Sequence, residues 1–219
     1  MRGSTTHLCT FLASVGFAMM ASGCNTSSSL PCPEAGERLP TPGPGQEYVA
    51  TTLKNESCMS VCVLLVSPDR CEYMGGENWV EGHPLRSGES ITKDLPPGKY
   101  AVWSELCTEE YLAEEDVSFR SDTVHPITDT KPGSSPPCGT SLTIVNNSDA
   151  PICDLRIGIG ESVYVGWNWI GMEPIQPGQS LTVTLRPDTY FIRAEGCDSA
   201  WLRSEVDVAV SGHQTWTVP

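Results

Sequence analysis

Short runs in which hydrophobic and polar residues alternate occupy most of the chain after its N-terminal segment. Alternation with a period of two is the pattern of a strand with one buried face. Turn-forming pairs such as Pro177-Gly178 and Pro187-Asp188 separate the runs. In the second half of the chain the pattern predicts strands over Ser141–Asn146, Ile152–Ile159, Ser180–Leu185, Tyr190–Glu195, Trp201–Val210 and Gln214–Val218.

The first half repeats this order of elements. Its predicted strands are Thr51–Lys54, Val61–Val66, Ser90–Leu95, Tyr100–Glu105, Asp116–Phe119 and Val124–Ile127. No segment has the 3.6-residue periodicity of an amphipathic helix. Short strands separated by turns predict an all-β protein in which each half is a small antiparallel β-sandwich of the immunoglobulin-like type.

An internal repeat supports this division. The segment Asn78–Cys107 recurs as Asn168–Cys197 at the same length and without a gap, and such a match marks a duplicated module. The shared residues include an Asn-Trp pair, a glycine (Gly88 and Gly178), a proline (Pro97 and Pro187), a tyrosine and the closing cysteine. We therefore expect one module over residues 48–129 and a second over residues 140–219, joined by a linker over residues 130–139.

The N-terminal segment has the features of a secretory signal peptide over residues 1–23. Arg2 precedes an apolar stretch, Leu8–Ala21, which is too short to span a membrane as a helix. The sequence Ala21-Ser22-Gly23-Cys24 then resembles the lipobox of bacterial lipoproteins. This resemblance implies cleavage before Cys24 and attachment of acyl chains such as palmitate to it. The alternative is an ordinary secreted protein in which Cys24 forms a disulfide.

Residues 24–47 are rich in Ser, Pro and Gly and contain few apolar residues, so they predict a disordered tether between the acylated cysteine and the first module. The order of elements in both modules is similar to that of small modules in uncharacterised bacterial lipoproteins. That resemblance implies no particular activity. The lipobox resemblance implies a protein attached by lipid to the cell envelope, most often at the outer membrane where the bacterium has two membranes.

The chain has 10 cysteines, of which Cys9 leaves with the signal peptide and Cys24 carries lipid. The eight that remain are an even number, as disulfides in an oxidising compartment require: Cys32, Cys58, Cys62, Cys71, Cys107, Cys138, Cys153 and Cys197. Repeat equivalence pairs Cys62 with Cys107 and Cys153 with Cys197. Each bridge closes a loop of roughly 45 residues and contributes on the order of 4 kcal/mol in the chain-entropy model.

Two further bridges follow less directly. Cys58 and Cys71 flank the second predicted strand, which suggests that they pair with each other, and Cys32 with Cys138 is then left by elimination. The parity of Cys197 along its strand points it away from the predicted core face. A bulge or turn at Gly196 is therefore needed before Cys197 can meet Cys153.

The formal net charge is −14, from 13 Lys and Arg against 27 Asp and Glu. Phosphate recognition needs clustered cations, so nucleic acid is disfavoured as a partner. The acidic run over residues 109–116 lacks the residue order of a calcium loop, and a solvated loop is the favoured interpretation over a calcium site.

No residue pattern points to catalysis, a cofactor or a metal. The histidines of the mature chain, His83, His125 and His213, lack metal-ligand spacing, and no Gly-x-Ser-x-Gly motif is present. A Ser/His/Asp triad stays open because its members need not be neighbours in sequence. An unrecognised hydrolase is thus one alternative, and it requires a histidine within hydrogen-bond reach of a serine or carboxylate in a cleft.

Aromatic residues are the remaining candidates. Tyr164, Trp167 and Trp169 cluster in the loop over residues 160–171, where exposed rings would stack on a sugar or dock a partner. Trp169 is also the repeat equivalent of Trp79, which favours a buried position for both. The favoured function is a non-catalytic binding or structural role in the cell envelope, and a carbohydrate- or partner-binding surface on this loop is the alternative.

Overall fold

The computed structural model describes residues 45, 47–69, 71, 76–128, 138–159 and 166–219. These residues lie in one compact unit of the chain. Every regular secondary-structure element among these residues is a β-strand, which confirms the predicted all-β class. The strands of module 1 are β1 Val49–Asn55, β2 Val61–Pro68, β3 Ser90–Leu95, β4 Gly98–Leu106, β5 Tyr111–Phe119 and β6 Thr123–Ile127. Those of module 2 are β7 Thr140–Asn146, β8 Ile152–Ile159, β9 Ser180–Leu185, β10 Asp188–Gly196, β11 Trp201–Val210 and β12 His213–Val218.

Each module contains two three-stranded sheets. The orders are β3-β1-β6 and β2-β4-β5 in module 1, and β12-β7-β9 and β11-β10-β8 in module 2. The first strand of each module pairs in parallel with the last strand, whereas the other neighbours are antiparallel. The expectation of purely antiparallel modules is therefore wrong. The last strand returns from the second sheet to the edge of the first, and this return gives it the direction of the first strand.

The two sheets of a module enclose a core in a sandwich-like arrangement. Burial alternates along β1 and β7, as expected for strands with one covered face. The largest fully buried side chains come from both sheets of each module: Leu53, Leu64, Tyr100, Phe119, Leu142, Ile144, Phe191 and Tyr190 among them. Leu142, Ile144 and Tyr190 are buried as their strand alternation predicts, whereas Phe191, on the opposite face of β10 from Tyr190, is fully buried as well.

A buried tyrosine closes one end of each core. The hydroxyl of Tyr100 donates a hydrogen bond to the Pro96 carbonyl at 2.6 Å, and that of Tyr190 donates to the Arg186 carbonyl at 2.9 Å. Burial raises the pKa of both tyrosines to about 12. Each ring therefore fills apolar space while its one polar group remains bonded, which avoids the cost of an unpaired buried donor.

An asparagine at the end of the first strand organises the crossing to the other sheet. The amide of Asn146 donates to the carbonyls of Ala150 and Ile175 at 2.9 and 2.8 Å, and its oxygen accepts from the amide and hydroxyl of Ser148. Asn55 makes the same set of bonds in module 1: to Met59, Leu85 and Ser57. Both asparagines have no exposed surface, so these bonds satisfy polar groups that water does not reach.

The disulfides confirm the repeat-equivalent pairs and correct the other two. Cys62 bonds Cys107 and Cys153 bonds Cys197, each with a Cα–Cα distance of 4.9 Å. The required irregularity at the end of β10 is present as a register shift between Glu195 and Gly196. Cys58 bonds Cys138 instead of Cys71, with a Cα–Cα distance of 5.1 Å.

The pairs Cys58–Cys71 and Cys32–Cys138 are therefore wrong. Proximity in sequence was a poor guide to these pairs. The crossing between β1 and β2 brings Cys58 next to Cys138, which lies just before β7. Cys71 is also in a disulfide, while Cys32 lies outside the described residues. The linker predicted over residues 130–139 is thus covalently attached to module 1 through its Cys138.

The acidic run over residues 109–116 is not a loop. Its larger part forms the beginning of β5, an edge strand that pairs with β4. Charged side chains on an exposed edge strand discourage pairing with another chain, which is consistent with acidic residues here. Residues 1–44, which include the predicted signal peptide, Cys24 and most of the tether, lie outside the described residues.

Replacing Asn146 with Ala should destabilise the protein by roughly 2–4 kcal/mol, because two buried carbonyls would lose their donor. The adjacent Asn147 is exposed, so Asn147→Ala should change the free energy of unfolding by at most about 0.5 kcal/mol. Urea denaturation of both variants measures the difference. Equal stability of the two variants would contradict the role assigned to Asn146.

Candidate functional site

The two modules contact each other through a loop of module 2 that carries Trp167. The backbone amide of Trp167 donates to the Cys107 carbonyl at 3.2 Å, and its indole Nε1 donates to Glu105 Oε1 at 2.7 Å. Glu105 lies near the end of β4, and Cys107 lies just after it. The loop of module 2 therefore packs directly against the end of module 1 that carries the disulfide between Cys62 and Cys107.

A backbone contact between repeat-equivalent positions adds to this junction. The amide of Met172 donates to the Gly82 carbonyl at 2.9 Å, and Gly82 is the module 1 equivalent of Met172. Gly171 has a positive φ of 60°, and a β-carbon added there would overlap the Gly82 carbonyl oxygen. Close approach of the two backbones thus requires glycine at position 171.

Acidic side chains of module 1 face basic side chains of module 2. Glu109 accepts a hydrogen bond from the Gly166 amide at 2.9 Å, and Glu110 forms an ion pair with Arg186. The pKa of Arg156 is raised, mainly by its hydrogen bond with Asp154 and in smaller part by Glu109. These contacts make the junction electrostatically complementary.

Three aromatic side chains surround Glu105 at this junction, and we call Trp103, Tyr111 and Trp167 the aromatic cluster. Trp103 and Glu105 share the outer face of β4, and Tyr111 is the cross-strand neighbour of Glu105. The rings of Trp103 and Tyr111 meet edge to face with centroids 5.6 Å apart. The carboxylate of Glu105 is the largest cause of the raised pKa of Tyr111.

The cluster combines exposed rings with a carboxylate that is almost covered. Tyr111 is 61% exposed and Trp167 is 43% exposed, whereas Glu105 is 9% exposed. The hydrogen bond to Glu105 orients the indole of Trp167 before any ligand arrives. A flat apolar ligand face with hydroxyl groups at its edge would find ring surfaces and a nearby acceptor here.

Trp167 also lines a groove between the modules, which we call the intermodule groove. Its volume is about 640 Å³, within the range of small-molecule sites. The groove is lined by residues of both modules, among them Leu65, Val80, Glu81, Pro84, Trp167 and Met172. Since neither module alone contains all of these side chains, the groove exists only when the two modules are docked.

The structure places the three predicted binding residues in different environments. Trp167 is exposed at the junction, as a binding residue must be. Trp169 is 1% exposed and donates its indole N–H to the Ile157 carbonyl at 3.0 Å, so its proposed place in a binding surface is corrected. Its equivalent Trp79 is buried too, which confirms the alternative prediction for this pair. Tyr164 lies outside the described residues.

Sequence reasoning missed Trp103, Tyr111 and Glu105. The signal that would have found them is the position of Tyr111, which aligns with Trp201 in the repeat and puts an aromatic residue at the start of β5 and of β11. Trp201 is 57% exposed, but its neighbour is Arg193 instead of a second ring. The aromatic cluster is therefore a property of module 1 with Trp167 of module 2.

Two histidines form hydrogen bonds that bear on catalysis. His125 Nε2 lies 3.1 Å from Glu114 Oε2 beside a cavity, and His213 Nδ1 lies 2.7 Å from Ser141 Oγ on the surface. Ser104 lines the same cavity as His125, yet in the described chain no hydrogen bond joins the two. The described residues also contain no group of three or more His, Cys, Asp and Glu side chains that could hold a metal ion.

Comparisons with known proteins give little further guidance. No protein-family model matches the chain, and no curated protein matches it. A search of solved structures returned the Bacillus anthracis TIE protein, at 13% identity and a TM-score of 0.24, over 77% of this chain and 33% of that one. The chain thus spans about a third of that protein's length.

The location of the protein follows from covalent structure. Disulfides between described cysteines indicate an oxidising, extracytoplasmic compartment. Among the residues with described structure, no helix is long and apolar enough to cross a membrane.

Replacing Gly171 with Ala should separate the modules, because the added methyl group overlaps the Gly82 carbonyl. Gly178→Ala is the matched control: Gly178 also has a positive φ, of 78°, but an added β-carbon there meets nothing within 4 Å. The control should lose only about 1–2 kcal/mol from backbone strain. Calorimetry should show the transitions of the modules uncoupled in Gly171→Ala alone, with Trp167 more accessible to acrylamide. Indistinguishable behaviour of the two variants would contradict this role of Gly171.

Proposed function

We propose that this protein is a lipid-anchored, non-catalytic binding protein of the bacterial cell envelope, and that its aromatic cluster contacts a carbohydrate. The observation that carries the proposal is the state of Trp167. Its indole is held by Glu105 at 2.7 Å, yet 43% of the residue remains exposed. An aromatic side chain that is both oriented and exposed loses little conformational entropy when a ligand stacks on it.

The composition of the cluster favours a sugar over an apolar partner. Tyr111 and Trp167 offer ring surface, and Glu105 lies between them as an acceptor for hydroxyl groups. The net charge of −14 would repel acidic glycans. We therefore expect a neutral oligosaccharide to be the ligand class.

The docked modules support a binding role in a second way. The ion pair between Glu110 and Arg186 and the backbone contact between Gly82 and Met172 hold Trp167 of module 2 against β4 of module 1. A structural role, in which the docked modules only hold a larger assembly at a distance from the membrane, is the second candidate. A purely structural role does not explain why Trp167 and Tyr111 are exposed.

A hydrolytic activity is the least favoured alternative. It would use His125 and Glu114, which satisfy the requirement for a histidine near a carboxylate in a cleft. A nucleophile bonded to the histidine is also required. The absence of a described hydrogen bond between Ser104 and His125 disfavours this reading.

Replacing Trp167 with Ala should weaken oligosaccharide binding by about tenfold or more, as for an aromatic residue at the centre of an interface. Titration calorimetry of the detergent-solubilised mature protein with chitohexaose, cellohexaose and maltoheptaose measures the affinity. Trp201→Ala is the matched control, because Trp201 is 57% exposed but lies outside the cluster. An equal loss in both variants, or no binding of any of the three sugars, would contradict the proposal.

The anchor is tested separately by intact-mass analysis of protein purified from its native membrane. The expected mass is that of residues 24–219 plus acyl chains on Cys24. Reduction should add two hydrogens for each of the disulfides at Cys58, Cys62 and Cys153 and two more for that of Cys71. The Cys24→Ser variant should lack the acyl mass. An unmodified wild-type mass would exclude lipid attachment and leave a secreted binding protein.

A further inference from the structure

A second cavity, of about 420 Å³, opens between the two sheets of module 1. Its lining includes Val102, Ser104, Leu112, Glu114, His125 and Ile127. The edge strands β5 and β6 form its rim, so it opens on the side of the module where no strand joins the two sheets. Among its described lining residues, Glu114 carries the only permanent charge.

The repeat supplies an internal comparison for this cavity. Strand register gives the residues of module 2 at the same places: Arg203 for Leu112, Glu205 for Glu114 and Trp216 for His125. One of the three positions keeps its acidic residue. The other two differ in charge, Leu112 against Arg203, or in size, His125 against Trp216.

In module 2 the three side chains form a closed cluster. The guanidinium of Arg203 lies 4.7 Å from the centroid of the Trp216 ring, a cation–π contact. Both side chains also bond one oxygen of Glu205, at 2.9 Å from Trp216 Nε1 and at 2.5 Å from Arg203 Nη2. The Glu205 carboxylate, whose side chain is 44% exposed, is thus bonded to a cation and to an indole.

Module 1 retains the carboxylate and lacks the cation. His125 takes the place of the indole donor, with Nε2 at 3.1 Å from Glu114 Oε2, but its ring is smaller than that of tryptophan. Leu112 carries no charge, so the bond that Arg203 gives to Glu205 has no counterpart from this position. What is missing, by comparison with module 2, is a guanidinium group on an apolar stem.

We propose that the cavity of module 1 binds a guanidinium-bearing side chain supplied by a ligand. The guanidinium bonds the carboxylate of Glu114, whose geometry suits a planar pair of N–H donors. The stem packs against Val102, Leu112 and Ile127, which line the cavity. The net charge of −14 favours the approach of a cation from solution. Trp167, which carries the proposed carbohydrate function, does not line this cavity, whereas Tyr111 of the aromatic cluster does.

The test is titration of the mature protein with two guanidinium probes, Nα-acetyl-arginine amide and the peptide Gly-Arg-Gly. Nα-acetyl-citrulline amide is the matched ligand control, because it has nearly the same shape and no charge. We expect the arginine probes to bind at least about tenfold more tightly than the citrulline probe. Binding of both arginine probes identifies a small-molecule site, and binding of the peptide alone identifies a protein partner. No binding of either, or equal binding of citrulline, would overturn the proposal.

Protein variants locate the site. Glu114→Gln should reduce binding about tenfold or more, whereas Glu205→Gln, the equivalent change in module 2, should leave it unchanged. The double variant Leu112→Arg/His125→Trp introduces the closed cluster of module 2 and should abolish binding. Thermal unfolding verifies that each variant is folded, and if the double variant is not, the comparison of Glu114→Gln with Glu205→Gln decides. Unchanged affinity in Glu114→Gln would refute the assignment.

Discussion

Each module crosses from one sheet to the other directly after its first strand, and a buried asparagine makes this crossing possible. Asn55 and Asn146 donate to two carbonyls and accept from a serine two residues later. These bonds satisfy the amide groups of the buried asparagine side chains and fix the backbone of the turn that follows the first strand. The crossing then allows the last strand to pair in parallel beside the first. The two-sheet arrangement of the module depends on it.

The modules are copies that share a set of core residues and differ at other positions. Both retain the asparagine, the buried tyrosine, the buried tryptophan and the disulfide at equivalent places. They differ on the outer face of β4 and β10, where Trp103 corresponds to Arg193 in the repeat. They also differ between the sheets, where His125 corresponds to Trp216. Both modules thus keep these four features and differ on the outer face of β4 and β10 and between the sheets.

Much of this architecture is predictable from periodicity and repetition. The alternation of apolar residues predicts the strands, and the repeat predicts two of the disulfides, because equivalent cysteines in equivalent modules occupy equivalent geometry. The parallel pairing of β1 with β6 could not be predicted, since alternation reports which face of a strand is buried and not the direction of its neighbour. The bond between Cys58 and Cys138 could not be predicted for a related reason. A turn between the sheets brings the two cysteines together, although they are far apart in the chain.

The candidate site also has a part that could be predicted from the sequence and a part that could not. The sequence by itself determined the all-β class, the buried pair Trp79 and Trp169, and Trp167 as an aromatic residue without a repeat equivalent. Only the tertiary structure decided that Trp167 meets Glu105 and that Tyr111 lies beside them. Local alternation is recorded in neighbouring residues, whereas a contact between modules depends on how two folded surfaces dock, and no short stretch of sequence contains that information.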